Sequence, residues 1–175
     1  MSTAELSRPI KPRALPADTL TINATDSERA ALAERFSVTA IEKLTAAVDF
    51  DEKDGATIAK GSLDAIIVQP CAVSREDISY PVTESFELRF VPESAPVAHE
   101  PDEEFELSLE DLDEIEYEGE TFDIGEAIAQ TLGLAIDPFR EGPDADRIRA
   151  EKGIESDEDR APSGPLAEAL AALKK

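Results

Sequence analysis

The stretch that most constrains the fold is residues 61–92, where two β-like runs flank the only cysteine of the chain. In the second run, apolar residues alternate with polar ones from Val82 to Phe90, as in a strand with one buried face. Pro70 has no backbone N–H to give to a ladder, so it ends the first run just before Cys71. Because two antiparallel strands are marginal in water, this hairpin needs other parts of the chain to cover its apolar face.

Further strand signals precede the hairpin. Residues 41–50 alternate with a period of two, and a turn at Gly55 leads into a long strand at 56–69, with a β-bulge expected at Gly61. Together with a strand at 78–90, this order predicts a three-stranded antiparallel meander. The predicted fold class is therefore α+β, an antiparallel meander or partly closed sheet covered by one or two helices.

Two segments carry helix signals. Thr25 and Glu28 have the spacing of a capping box at the start of a helix predicted from Asp26 to Phe36. Asp123 can cap a second helix, which has an apolar stripe and which Pro138 ends. The stripe consists of Ile124, Ile128, Leu132 and Ala135. This second helix is the expected cover of the sheet.

The pattern divides the chain into three parts. Residues 1–24 are predicted to form an extended N-terminal arm, residues 25–139 a single α+β domain, and residues 140–175 a flexible tail. The tail starts as a linker without periodicity and ends in a short amphipathic helix at 165–174. Within the domain, residues 93–120 hold thirteen acidic residues and no Lys or Arg, so few apolar contacts offset the entropy of ordering them. We expect this insertion to be a mobile, partly disordered acidic loop.

Apolar residues nevertheless interleave with the acids of the insertion. They are Phe105, Leu107, Leu109, Leu112, Ile115 and Tyr117. Such alternation favours an added edge strand over the alternative, a disordered motif that binds a partner.

The charge of the chain constrains its partners more than its fold. With 40 acidic and 17 basic residues, the formal charge is -23. A surface of this sign repels nucleic-acid phosphates and attracts basic proteins, although halophilic solubility would also explain it. No stretch approaches the ~20 apolar residues of a membrane helix, and the first residues lack the apolar core of a secretion signal. With a single cysteine, these features predict a cytoplasmic protein.

The sequence offers little material for catalysis or metal binding. His99, the only histidine, lies in the acidic insertion without a nucleophile at a recognisable spacing, so it is interpreted as a solvated loop residue. Cys71 has no predicted helix N-terminus and no basic neighbour except Arg75 to lower its pKa. Residues 49–55 resemble a calcium loop, but Lys53 occupies a ligand position and the closing glutamate is missing. We therefore expect no catalytic residue, no metal and no cofactor.

Several segments follow one another in a characteristic order. They are Gln-Pro-Cys-Ala-Val at 69–73, the strand at 81–92, the acidic insertion, Phe-Asp-Ile-Gly-Glu-Ala and onward at 122–139, and Gly-Pro-Leu-Ala-Glu-Ala-Leu-Ala-Ala-Leu-Lys at 164–174. In this order they resemble the YceD family, also called large ribosomal RNA subunit accumulation proteins. The segment Asp26–Phe36 resembles the alphaproteobacterial branch of that family.

The resemblance implies a bacterial protein that acts in ribosome biogenesis and promotes accumulation of the large-subunit (23S) ribosomal RNA. Genes of this family commonly neighbour one for a large-subunit ribosomal protein. The chain departs from many members at Ser74, which stands where they carry the second cysteine of a Cys-x-x-Cys pair. One thiolate is too few for a structural metal site, so the resemblance does not extend to a shared zinc or redox pair.

Two hypotheses combine this resemblance with the charge of the chain. In the first, the protein binds a basic large-subunit ribosomal protein or a pre-ribosomal particle, and ribosomal RNA contact is indirect. Its candidate residues are Arg89, the acids Asp102, Glu103, Glu104 and Glu106, and the tail leucines Leu166, Leu170 and Leu173. Strand alternation places Arg89 on the face opposite Phe86, Leu88 and Phe90, so its side chain is expected to be exposed. In the alternative, the protein binds ribosomal RNA directly. Its candidate residues are Arg8, Lys11, Arg13, Lys43, Lys60 and Arg75. The sequence leaves the oligomeric state open.

Overall fold

A computed structural model describes residues 4–93 and 114–154 of the chain. These residues belong to two compact units. The first contains the chain up to Pro70 together with Asp77–Pro138, and the second contains Cys71–Glu76 together with the chain from Phe139 onward. Most of the predicted acidic loop and the end of the predicted flexible tail, residues 94–113 and 155–175, lie outside the described residues.

Strands dominate the first unit. In chain order, the elements of the described chain are β1 (Pro9–Ile10), a single 3-10 turn (Pro12–Ala14), β2 (Leu20–Asn23), α1 (Asp26–Phe36), β3 (Ala40–Lys53), β4 (Ala56–Pro70), β5 (Asp77–Pro92), β6 (Glu114–Tyr117), β7 (Phe122–Asp123), α2 (Ile124–Ala135) and α3 (Ala145–Lys152). None of the helices among these elements is long and apolar enough to span a membrane.

The main sheet has five strands in the order β2-β3-β4-β5-β6, and β1 and β7 form a separate two-stranded ribbon. The strands β2 to β5 pair antiparallel in sequence order, which confirms the predicted meander. The predicted edge strand is confirmed at Glu114–Tyr117, where β6 pairs with β5 in parallel. The fold is α+β as predicted, and its sheet is an open one.

The register of the meander sorts its side chains onto two faces. Val48 pairs with Gly61 and Gly61 with Phe86, so these three residues point to the same side of the sheet. That side shares one hydrophobic core with Leu32 of α1 and Leu132 of α2, both fully buried. The opposite face of the sheet is mostly exposed and polar. The alternation read from the sequence therefore marks the boundary between core and solvent.

A β-bulge expected at Gly61 is not there, and this prediction is wrong. The register shift lies between Ile41 and Lys43, and Gly61 pairs regularly. A Cβ at Gly61 would collide with the carbonyl oxygen of Ala47 and would lie 2.9 Å from Cζ of Phe86. The glycine is therefore required mainly by the close approach of the Ala47 backbone, with the Phe86 ring as a second neighbour, and the bulge is absent because the ladder continues through it.

Both helices predicted within residues 25–139 are confirmed. At the start of α1, the hydroxyl of Thr25 accepts from the backbone N–H of Glu28 (3.3 Å), and the Glu28 carboxylate accepts from the backbone N–H of Thr25 (2.7 Å). This reciprocal pair completes the capping box. At the start of α2, the Asp123 carboxylate accepts from the backbone N–H groups of Gly125 (2.9 Å) and Glu126 (3.2 Å). Both helices begin where a side chain satisfies free N–H groups.

The second unit contains a helix that sequence analysis missed. The structure corrects the linker predicted after residue 140, because Ala145–Lys152 forms α3, which ends at Gly153 with φ 64°. Only Ala145 and Ile148 of α3 are buried, and most of its other residues are charged. Two buried residues form no recognisable stripe, so helical periodicity could not reveal it. The helix predicted at 165–174 lies outside the described residues.

Candidate partner-binding site

Most residues proposed to contact a basic protein lie outside the described part of the chain. They are Asp102, Glu103, Glu104, Glu106, Leu166, Leu170 and Leu173. The exception is Arg89, which lies on the mostly exposed face of the sheet as predicted, but its side chain is only 28% exposed. Its Nε donates to the Glu114 carboxylate at 2.7 Å, because the parallel register places Glu114 beside it. The predicted exposure of Arg89 is wrong, and the residue ties β6 to β5.

Arg8 of the N-terminal arm is also held inside the fold. Its guanidinium makes two hydrogen bonds to the Glu28 carboxylate, at 2.7 and 3.1 Å. This bidentate contact with Arg8 is the main reason why the pKa of Glu28 falls to about 2, and hydrogen bonds from Thr25 add to it. The arrangement stabilises the first turn of α1. It leaves Arg8 unsuited to bind a phosphate.

The arm around Arg8 is built into the first unit. Leu6 is fully buried, and the Asp123 carboxylate accepts from the Ser7 hydroxyl (2.6 Å) and from the backbone N–H of Arg8 (2.7 Å). A Cβ at Gly125 would lie 2.6 Å from the carbonyl oxygen of Leu6, so only glycine lets the arm pass this close to α2. Asp123 thus both caps α2 and anchors the arm.

A second ion-pair cluster joins the arm to both helices of the first unit. Arg35 of α1 contacts Glu5 at 2.9 Å and Glu126 of α2 at 2.8 Å. The hydrogen bond to Glu126 is the main cause of a raised pKa at Arg35, and the same contact lowers the pKa of Glu126. Sequence analysis missed this cluster because its members are far apart in the chain.

Two lysines of the RNA hypothesis lie on the mostly exposed face of the sheet. Lys60 pairs with Glu87 at 3.0 Å, whereas Lys43 has no ion pair among the described residues. Lys43 pairs in register with Ile66, six residues along β4 from Lys60. At about 3.3 Å per residue the two lysines are therefore roughly 20 Å apart. They do not form one basic patch.

Lys11 and Arg13 differ from Arg8, the other cation of the arm, because both are exposed and neither makes an ion pair with a described residue. They line a groove of about 420 Å³ together with Tyr117 and Glu120. Arg13 also borders a neighbouring depression of about 320 Å³ that contains Asp51 and Glu52. The structure thus brings the free cations of the arm close to the C-terminal end of β6, the last strand of the sheet.

Exposed acids gather at this same end of the sheet. The register aligns Asp51 with Ile58 and Arg89, and Arg89 with Glu114, so the β3–β4 turn and β6 share one end. We call the exposed acids there the acidic end. They are Asp51, Glu52, Asp54, Glu116 and Glu118, none of which has an ion pair with a described residue. Sequence analysis missed this surface because its acids come from two distant stretches.

Cys71 and Arg75 lie in the second unit. The buried Sγ of Cys71 accepts from the backbone N–H groups of Ser74 (3.4 Å) and Gly142 (3.2 Å). A hydrogen bond from the Ser74 side chain, followed by the backbone bonds from Ser74 and Gly142, lowers the pKa of the thiol to about 7, which sequence analysis did not expect. Arg75 is exposed in a left-handed turn with φ 68°. Within residues 4–93 and 114–154, no group of three or more His, Cys, Asp or Glu side chains could hold a metal ion.

Comparison with known proteins identifies the family of the chain. No curated protein and no solved structure matches the chain. The family model described as large ribosomal RNA subunit accumulation protein YceD matches residues 59–175, which is more than half of the chain. The match starts inside β4 and continues through β5 to α3, so it includes the hairpin and the acidic insertion. The chain therefore belongs to the YceD family, as the order of its segments indicated.

Proposed function

We propose that this protein is a non-enzymatic ribosome biogenesis factor of the cytoplasm that promotes accumulation of the large-subunit (23S) ribosomal RNA. It does so by binding a basic ribosomal protein or an assembly intermediate that contains one. Family membership supports the role in ribosome biogenesis. The choice of a protein partner is supported by the charges of the described surface.

The observation that carries this choice is the unequal pairing of acids and bases. Arg8, Lys60 and Arg89 each form an ion pair with a carboxylate, whereas the acids of the acidic end form no ion pair with a described residue. In a chain of formal charge -23, such a surface attracts a cationic partner and raises the rate of encounter. The partner supplies the missing positive charges.

Direct RNA binding by all the arm and sheet cations has less support. A surface that tracks a nucleic-acid backbone needs several free cations in a row. Arg8 and Lys60 are neutralised, and Lys43 lies roughly 20 Å from Lys60 at about 3.3 Å per strand residue. The free cations of the first unit that do lie together are Lys11 and Arg13, which flank one groove.

A binding assay tests the proposal. The full chain is titrated with purified basic large-subunit ribosomal proteins, and we expect affinity for at least one to fall at least about tenfold between roughly 50 and 200 mM salt. Neutralising the β3–β4 turn by D51N, E52Q and D54N should weaken binding about fivefold or more at the lower salt. The matched control neutralises three exposed acids elsewhere, E34Q, E42Q and E84Q, and should change affinity less than about twofold.

Two results would contradict the proposal. One is that no basic large-subunit protein binds even at about 50 mM salt, where charge attraction is strongest. The other is an unchanged ratio of large- to small-subunit ribosomal RNA in cells that lack the protein. If both triple variants weaken binding equally, the acidic end is not the contact surface.

A further inference from the structure

One side of the groove is formed by the arm segment that carries Lys11 and Arg13, and the backbone of this segment is fixed by its neighbours. Ile10 pairs with Phe122 in the ribbon of β1 and β7, immediately before the 3-10 turn. Pro12 starts that turn, and the backbone N–H of Ala14 donates to the carbonyl of Lys11 at 2.9 Å. Because the backbone is fixed on both sides of Pro12, the two cations are presented from a constrained segment.

The other side of the groove is formed where β6 ends. The carbonyl of Tyr117 accepts from the backbone N–H of Glu93 at 2.9 Å, which fixes the end of the strand. The Tyr117 ring packs at 5.8 Å and 55° against Phe122, and Phe122 stacks on Phe90 at 4.2 Å and 19°. The half-buried tyrosine therefore has a braced position in the groove, and Glu120 follows it at the rim.

We propose that this groove binds a nucleoside monophosphate unit, either as a free nucleotide or as the end of an RNA chain. Lys11 and Arg13 donate to the phosphate, and Arg13 can do so with two N–H groups at once. The base lies against Tyr117 and Pro12, since a planar ring stacks on an aromatic side chain. Glu120 accepts a hydrogen bond from a ribose hydroxyl. The volume of about 420 Å³ is within the range of small-molecule sites.

The surrounding acids restrict this ligand to one nucleotide in the groove. Glu120 lines the groove itself, and Asp51 and Glu52 face Arg13 from the neighbouring depression. At about 0.1 M salt these charges act over roughly 10 Å, so a row of phosphates leaving the groove would be repelled. A single phosphate between Lys11 and Arg13 gains more attraction from these two cations than it loses through repulsion by the acids. The residues that contact the nucleotide are not members of the acidic end, so the inference does not depend on the proposed basic-protein contact.

Titration of the full chain at about 50 mM salt tests the inference, with 5′-AMP and a six-nucleotide single-stranded RNA as probes. We expect saturable binding that the double variant K11Q/R13Q weakens at least about tenfold. The matched control K43Q/K53Q removes two other cations that lack ion pairs with described residues, and it should change affinity less than about twofold. Y117L should weaken binding about fivefold or more, and Y117F should restore it to within about twofold, because stacking needs the ring.

The outcome separates the two sources of the nucleotide. Tighter binding of the RNA than of 5′-AMP identifies an RNA end whose further phosphates lie away from the acids around the groove, and equal or tighter binding of 5′-AMP identifies a free nucleotide. The inference is overturned if neither probe binds saturably, or if K43Q/K53Q loses as much affinity as K11Q/R13Q. It is also overturned if inorganic phosphate or a hexaglutamate peptide binds as tightly as 5′-AMP. Since Lys11 and Arg13 are exposed, their variants report on binding without disturbing the core.

Discussion

Glu28 connects the start of α1 to the N-terminal arm through one carboxylate. It accepts from the backbone N–H and the hydroxyl of Thr25, which caps α1, and it pairs with Arg8 of the arm. All these donors favour its ionised form, and Arg8 contributes most to its low pKa. Protonation of this single residue therefore weakens the helix cap and the arm contact together.

The substitution E28Q tests this link through pH. Because the pKa of Glu28 is lowered from about 4.5 to about 2 in the folded protein, its contribution is present above pH ~4.5 and is lost as the pH falls towards 2. We expect E28Q to lower the free energy of unfolding by about 1–3 kcal/mol at pH 7, and the difference from wild type to shrink towards pH 2.5. Urea unfolding of wild type and E28Q at several pH values measures the destabilisation at pH 7 and its decrease at low pH.

The matched control for this experiment is E87Q, which removes the same charge from an exposed pair with Lys60. Such a pair contributes about 0–1 kcal/mol, so E87Q should have little effect at any pH. A destabilisation by E28Q that is as large at pH 2.5 as at pH 7 would show that ionisation of Glu28 is not its cause.

At the scale of elements, the N-terminal arm behaves as part of the core although it precedes the region matched by the family model. Leu6 is fully buried, whereas Leu134 of α2 is 90% exposed. We expect L6A to lower the free energy of unfolding by about 2–5 kcal/mol, because it leaves a cavity in packed surroundings. The same change at Leu134 should cost less than about 0.5 kcal/mol. Denaturant unfolding of both variants compares them directly, and equal small effects would mean that the arm is detachable.

The elements that local chemistry specifies were the predictable ones. The capping box at Thr25 predicted α1 with its correct bounds, and Asp123 with the apolar stripe predicted α2. The meander followed from alternation and turn residues. In contrast, α3 buries too few residues to show a period, and the ribbon of β1 and β7 has only two residues per strand. Such elements exist because of their tertiary neighbours, which a linear pattern does not contain.

The candidate site was less predictable than the fold. Sequence analysis selected Lys11 and Arg13, but not Tyr117 or Glu120 as their neighbours. It also treated Arg8 as a free cation, although Glu28, twenty residues away, neutralises it. Parallel pairing of β6 brings Tyr117 to the arm, and strand direction is decided by the whole fold. Ion pairs between residues that are distant in the chain, such as Arg8 and Glu28, likewise form only once the whole fold brings them together.

For the whole molecule, the formal charge of -23 sets a balance between attraction within ion pairs and repulsion among unpaired acids. Repulsion acts over about 30 Å at 0.01 M salt and about 10 Å at 0.1 M. We therefore expect the midpoint of thermal unfolding to rise when NaCl is increased from about 0.01 to 0.2 M. Potassium chloride serves as the control and should produce the same shift, because screening does not depend on the cation. A midpoint that falls with salt would mean that ion pairs outweigh repulsion.

The parallel direction of β6 has a consequence for variation at this edge of the sheet. Parallel neighbours need a connection of a dozen or more residues, and here residues 94–113 supply it. Its flanks are fixed, since Glu93 bonds to Tyr117 and Glu114 pairs with Arg89. Because both flanks are held by contacts that do not involve the residues between them, a fluorescent or affinity label inserted between Glu93 and Glu114 should leave the pairing of β6 with β5 intact.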